Sequence, residues 1–212
     1  MKYLRNILSF FILMVTACQT NAQTYTIETS LGNIQIQLYE NTPLHKANFE
    51  KLVSENAYDS VLFHRIIEGF MIQTGNLATK PGVDRNAPEG ETIPAEFRSE
   101  NFHKKGALAA ARIGDQYNPE KKSSPTQFYI VQGRKLSENE LAQLSANYGK
   151  TWTDEQKAVY QTLGGTPFLD MDYTVFGEVV SGLDVVDEIA ATPTGRGDYP
   201  IQDIRILTIR KD

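Results

Sequence analysis

Val61-Leu62-Phe63-His64-Arg65-Ile66-Ile67-Glu68-Gly69-Phe70-Met71-Ile72-Gln73-Thr74-Gly75-Asn76 is the stretch around which the rest of the chain is read. It contains two short strand-like runs, with Glu68-Gly69 between them as a turn signal. Side chains alternate between faces along a strand. In the first run Phe63 and Arg65 therefore share a face and His64 points away. In the second, Met71 and Gln73 share a face, with Phe70 and Ile72 opposite. A twisted sheet that closes into a barrel could gather Arg65, Phe70, Met71 and Gln73 around one shallow apolar site with polar edges.

Taken singly, these residues are ordinary: Phe70 and Met71 read as core, and Arg65 as a solvated strand residue. Taken together, the run from Phe63 to Asn76 resembles the signature of the cyclophilins, the cyclophilin-type peptidyl-prolyl cis-trans isomerases. Two further landmarks follow in the usual order. The first is Gln127-Phe128-Tyr129-Ile130-Val131. The second joins Thr166-Pro167-Phe168-Leu169-Asp170 to Tyr173-Thr174-Val175-Phe176-Gly177-Glu178-Val179-Val180. The resemblance covers roughly residues 25–211, apart from 134–166. It implies a mainly β fold, a closed eight-stranded antiparallel barrel capped by two α-helices. Residues 134–166 would be a short helical insertion. The polarity pattern agrees, with a helical face early, another late, and strands elsewhere.

The reaction that the resemblance implies is rotation about the peptide bond preceding proline. Amide resonance opposes that rotation with a barrier of about 18–20 kcal/mol. No covalent bond breaks, so no nucleophile, metal or redox cofactor is required. By resemblance Arg65, Gln73 and Phe70 are the catalytic set. Arg65 would donate to the proline nitrogen as its lone pair is freed, and Gln73 would hold Arg65. Met71, Ala111, Tyr129, Phe168, Leu169 and Tyr173 would bind substrate.

Several positions depart from the family pattern. Tyr129 replaces a common phenylalanine and keeps the ring. Phe168 stands where cyclosporin-sensitive members carry tryptophan. Phenylalanine has no N–H to donate, so weak cyclosporin binding is expected. Tyr173 stands where many members have histidine. Arg112 replaces a common asparagine, and its charge could favour acidic neighbours of proline.

Outward from the motif, the N-terminus reads as a leader. Lys2 and Arg5 precede an apolar run over residues 7–15, too short to span a bilayer comfortably. Val15-Thr16-Ala17-Cys18 resembles a bacterial lipoprotein box. Residues 1–17 then form a signal peptide, Cys18 carries the lipid, and 18–23 is a tether before a domain from 24 to 212. The alternative is cleavage after Ala22 and a soluble periplasmic protein. Cys18 is the only cysteine, so no internal disulfide can form.

Residues 25–29 and 33–39 read as a hairpin, and Thr42-Pro43 as a helix start with His45 on its exposed side. Residues 93–97 are expected to wall one end of the barrel. Ser137 with Glu140, and Thr153, mark helices near 137–147 and 153–162. Trp152 would pack the insertion onto the barrel, and Asp170 and Asp172 would hold a turn.

The 212 residues are 41% hydrophobic, enough for one domain with its own core. The net charge of -5 gives no electrostatic reason to expect nucleic acid. Expected partners are proline-containing peptides and folding envelope proteins, with a membrane reached through the lipid anchor. A monomer is expected. The rival reading is a cyclophilin-like binding or chaperone module that uses the insertion. A hydrolase or metalloenzyme finds little support, since the three histidines lack metal-ligand spacing and Ser123-Ser124 lacks a nucleophile-elbow pattern.

Overall fold

The computed structural model describes residues 23–86 and 89–212, so the leader and Cys18 lie outside the described residues. The chain opens with the hairpin of β1 (Thr24–Thr29) and β2 (Gly32–Leu38), followed by α1 (Pro43–Ser54). The signature run forms β3 (Arg65–Ile67) and β4 (Met71–Thr74). A long irregular segment leads to β5 (Ala107–Ala110) and β6 (Phe128–Val131). Next come α2 (Glu138–Tyr148) and α3 (Asp154–Thr162). Finally β7 (Val175–Ser181), α4 (Leu183–Ala190) and β8 (Ile206–Lys211) complete the chain.

The eight strands form one antiparallel sheet in the order β3-β4-β6-β5-β7-β2-β1-β8. The expected closed barrel is not what forms. The sheet curls into a half-barrel with β3 and β8 as its edges. β3 is three residues long, too short to carry a second ladder. The chain just before it is stitched instead to the chain entering β8. Phe63 N donates to Ile204 O at 2.9 Å, and Ile206 N to Val61 O at 2.8 Å. A lone bridge pairs Leu62 with Arg205 between them. This seam satisfies backbone groups that an open edge would otherwise offer to other chains.

Alternation along the strands divides the apolar residues between two faces. Ile27, Ile34, Ile36, Ile72, Leu108 and Ile130 point inward and are fully buried. Burying each such side chain contributes about 1.5–3 kcal/mol. α1 adds Phe49 and Val53 to this core, and α4 adds Val186, Ile189 and Ala190. Met71, Ala107, Ala109, Tyr129, Val131 and Val175, alternating with inward residues on the same strands, make a second cluster on the opposite face.

α1 is capped differently from the expectation. The Thr42 hydroxyl turns back to donate to Tyr39 O and makes no cap bond to the helix. The free N–H groups of Leu44 and His45 are met by the Glu96 carboxylate at 3.1 and 3.0 Å. Glu96 comes from the 93–97 segment, so that segment caps α1. In doing so it buries His45, which is 2% exposed, against the expectation of a solvated position. His45 Nδ1 lies 2.7 Å from Glu96, and Nε2 lies 2.8 Å from Ser123 Oγ.

The 134–166 segment leaves and rejoins the sheet at one point. A Cβ on Gly133 would sit 2.6 Å from Gly165 Cα, so glycine alone permits this approach. Both helices of the segment carry reciprocal capping boxes, Ser137 with Glu140 and Thr153 with Gln156. Gly149, at φ 63°, ends α2 in the left-handed conformation. Leu136, Leu141, Trp152 and Tyr160 form a small core of their own against Phe102.

Candidate active site

The second apolar cluster is the floor of a shallow cavity of about 90 Å³. Arg65, Phe70, Met71, Gln73, Ala111, Arg112, Tyr129, Leu169 and Tyr173 line it. Strand register accounts for much of this. Arg65 lies opposite Gln73 on β3 and β4, and Gln73 lies opposite Tyr129 on β6. These pairs project from one side of the sheet, where Met71 joins them. A cavity of this size suits a small apolar ring, with a guanidinium at its edge.

Two residues break the alternation expected for the signature run. Phe63 points into the main core and does not share a face with Arg65. It lies in the seam before β3, where pairing with 204–206 resets the chain's orientation. Phe70 joins Met71 on the cavity side. It belongs to the turn that precedes β4, with its N–H bonded to Ile67 O, so strand alternation does not govern it.

Arg65 is oriented by a residue that sequence reasoning did not name. Its Nε donates to Asp198 Oδ2 at 3.2 Å. Both side chains are about half-exposed, at 43% and 45%. Gln73, expected to hold Arg65, instead donates to Gln127 Oε1 at 3.0 Å. Asp198 lies 133 residues from Arg65 in a tight turn, at φ 61°. No local pattern around Gly195-Arg196-Gly197-Asp198 signals that contact.

Phe168 does not line the cavity. It occupies a 3-10 turn, Pro167–Leu169, whose successive side chains point about 120° apart. Leu169 takes the cavity side, while the Phe168 ring lies 5.6 Å from Phe70 and 5.9 Å from Tyr148. Arg112 stacks over Tyr173, with its Cζ 4.5 Å from the ring centroid. Its side chain is 5% exposed. Its Nη1 pairs with Asp115 at 2.5 Å, and its Nε donates to Asp172 O. That charge is committed within the protein, which weakens the expectation that it selects acidic neighbours of proline.

Beneath the cavity runs a buried polar chain. Tyr129 Oη lies 3.0 Å from His103 Nε2, and His103 Nδ1 lies 2.8 Å from Asp170 Oδ1. Asp170 Oδ1 also accepts from His103 N. Asp170 Oδ2 accepts from Trp152 Nε1 at 2.7 Å and from Tyr160 Oη at 2.6 Å. A carboxylate only accepts, so Nδ1 donates to Asp170. Burial pushes the Tyr129 phenol far above its usual range, so it stays a donor. The added hydroxyl of Tyr129 therefore has a partner. Trp152 and Tyr160 tie the 134–166 segment to the same carboxylate.

Asp172 makes a second tie, pairing with Lys121 and with Lys150. Burial would raise its carboxyl, but the two ammonium groups hold it below its usual range. Asp170 and Asp172 thus join three segments at the turn that carries Leu169 and Tyr173.

His45, Glu96 and Ser123 have the atom order of a Ser-His-acid triad, but Ser123 is 2% exposed and out of reach of a substrate. Among the described residues no group of three or more His, Cys, Asp or Glu is placed to hold a metal ion. Among them, too, no helix is long and apolar enough to cross a membrane.

Comparison with known proteins bears on the whole described domain. Residues 24–211 match the family described as cyclophilin type peptidyl-prolyl cis-trans isomerase/CLD. A Staphylococcus epidermidis protein, provisionally named a peptidyl-prolyl cis-trans isomerase, is 34% identical over 192 residues, covering 90% of this chain and 92% of its own. A Streptococcus pyogenes protein, provisionally named a bifunctional phosphatase/peptidyl-prolyl cis-trans isomerase, is 37% identical over 187 residues. The match covers 87% of this chain but 37% of that longer protein. A crystal structure of a Cryptosporidium parvum cyclophilin superposes with a TM-score of 0.66 at 22% identity, covering 90% of this chain and 97% of that one. A structure of the same cyclophilin, determined in the presence of the dipeptide Ala-Pro, gives 0.65 at 21% identity over 88% and 97% of the two chains. At such identity these two structures speak to the fold alone. The family match and the bacterial relatives carry the assignment further: the chain belongs to the cyclophilin-type peptidyl-prolyl cis-trans isomerases, and its activity is prolyl isomerisation.

Proposed function

We propose that Arg65 performs this isomerisation on exported polypeptides as they fold. The observation that carries the reading is the placement of Arg65 at the edge of the apolar cavity. In the planar amide the proline nitrogen shares its lone pair with the carbonyl and offers no acceptor. In the twisted state that lone pair is free, and a fixed guanidinium can donate to it. The interaction exists only in the transition state, so it lowers the barrier without trapping the substrate. Each roughly 1.4 kcal/mol gained there is about tenfold in rate.

Phe70, Met71, Tyr129 and Leu169 hold the proline ring while the acyl side turns. Gln73 and the backbone at Ala111 position the peptide. Tyr173 closes one wall, supported by Arg112. Each of these residues comes from one chain, so a monomer suffices for the reaction.

The leader and Cys18 support export and attachment to the periplasmic face of a membrane by lipid. Cleavage after Ala22, giving a soluble periplasmic enzyme, is the competing outcome. Clients would then be envelope proteins. A second reading, a binding module built on the 134–166 segment, is favoured by the segment's own core and its firm attachment to the turn at 170–172.

The deciding experiment is cis-trans exchange of a short Ala-Pro peptide followed by NMR, with the wild type and Arg65→Ala. Fast exchange that the substitution abolishes supports the mechanism. Equal exchange by both proteins removes Arg65 from it.

A further inference from the structure

Three aromatic rings form a row that begins at the cavity and ends on the 134–166 segment. Phe70 lines the cavity. Phe168 lies 5.6 Å from it, and Tyr148, at the end of α2, lies 5.9 Å from Phe168. Each pair has its planes tilted by 32°, with Phe168 between the other two rings. Tyr148 is 54% exposed, and Phe70 and Phe168 are partly exposed. Large apolar side chains gain by leaving water. An exposed aromatic row continuous with a binding cavity is therefore a surface with an unmet partner.

We propose that Phe168 and Tyr148 form a subsite for an aromatic or large aliphatic side chain two residues from the proline of the substrate. This rests on the reading that the cavity holds the proline ring. The argument is geometric. The two ring separations of 5.6 and 5.9 Å carry the surface at most about three extended residues from Phe70. In an extended peptide, residues two apart face the same side, at a separation of roughly 6.6 Å. A peptide that runs along the row with its proline ring in the cavity turns the residue two positions away toward the same surface. That distance falls between Phe168 and Tyr148. The occupant is thus the client chain itself, and its chemistry is apolar, preferably a ring that can stack or meet edge to face.

The placement also gives the 134–166 segment a role in recognition. Tyr148 is contributed by α2, and α2 is held to the turn by Lys150, which bonds Asp170 O and Asp172. Residue preference near proline then comes from a ring that the eight-stranded sheet itself does not carry.

The test uses NMR exchange rates for three peptides: one with alanine at all positions around the proline, one with phenylalanine two residues before it, and one with phenylalanine two residues after. The expected result is a kcat/KM about fivefold higher for one phenylalanine peptide, the gain of one stacked aromatic contact. Tyr148→Ala should bring that ratio below about twofold, and Tyr148 ring resonances should shift on adding the preferred peptide. Equal rates for all three peptides would overturn the subsite while leaving prolyl isomerisation intact. Loss of exchange for none of the peptides in Arg65→Ala would instead sink the mechanism. A concentration-dependent dimer that Tyr148→Ala abolishes would assign the row to a second copy of the chain, and would also overturn the subsite.

Discussion

Asp170→Asn tests whether one buried carboxylate joins the 134–166 segment to the cavity floor. The substitution keeps the size of the side chain and changes only what it can accept. Asp170 now receives two donors on each oxygen: His103 N and Nδ1 on Oδ1, Trp152 Nε1 and Tyr160 Oη on Oδ2. Asparagine has one acceptor oxygen and an amide that donates. With its oxygen kept toward His103, the amide faces Trp152 and Tyr160. The tyrosine hydroxyl can rotate and accept, but the indole N–H can only donate. One buried donor is orphaned, which costs about 1–3 kcal/mol, and the remaining bonds lose charge assistance worth about 1 kcal/mol each. A total near 4 kcal/mol lowers Tm by about 8–16 °C in a domain of this size, readable by circular dichroism. Trp152→Phe removes the donor that asparagine cannot serve. In that background Asp170→Asn should cost about 1–2 kcal/mol less, a coupling typical of residues sharing a network. Unchanged Tm in the single variant, or strict additivity in the double, would refute the account.

The Glu96–His45 pair predicts acid sensitivity. Burial would raise the Glu96 carboxyl, but bonds from the His45 ring, His45 N–H and Leu44 N–H leave it below its usual range. Its stabilisation is present above the ordinary carboxylate pKa, about 4.3, and is lost as pH falls through the lower folded value. Burial also lowers the His45 pKa, so the unfolded chain binds that proton first and stability begins to fall below about pH 6.5. Tm should therefore decline from pH 7 toward 4 through His45, and more steeply in Glu96→Gln, which removes the carboxylate that holds the His45 pKa up; a shallower slope would count against the pair. Asp198→Ala should leave Tm within about 2 °C, since half-exposed ion pairs contribute little. It should still lower kcat/KM several-fold by releasing Arg65, and full activity would show that Asp198 orients nothing. Phe168→Trp restores an N–H donor and should tighten cyclosporin about fivefold, the worth of one net hydrogen bond; titration showing no change would remove the donor explanation.

The features legible in the sequence were those written in short spans. The β1–β2 hairpin, the capping boxes that start α2 and α3, and the two strands of the signature run all follow from neighbouring residues. Arg65, Met71 and Gln73 reach one cavity by register and alternation within the signature run, while Ala111, Tyr129, Leu169 and Tyr173, which only the resemblance implied, join them from distant segments. What escaped was set by residues far apart in the chain. His45 has the spacing of an exposed helical residue, and only the arrival of Glu96 from 51 positions away buries it. Arg65 meets Asp198 through a turn whose sequence says turn and nothing more. Phe63 and Phe70 sit one or two residues outside the strands they were counted with, and alternation fails where pairing stops. The unclosed sheet has the same origin, because β3 is too short to carry a second ladder.

The turn at 166–173 explains why the 134–166 segment and the cavity belong to one argument. It supplies Leu169 and Tyr173 to the site, yet it is a loop between strands, the kind of element that ordinarily moves most. Isomerisation needs the opposite, because a donor aimed at a lone pair that exists only in the twisted state is useful only if the proline is held still. Here the turn is fixed from three directions. His103 reaches it from the strand side, Trp152 and Tyr160 from the helical segment, and Lys121 and Lys150 grip Asp172 from either flank. His103 also extends the chain to Tyr129 on the cavity floor. Order in the segment is thereby order in the site, and a substitution that loosens α2 or α3 should be felt at the proline ring before it is felt in the main core.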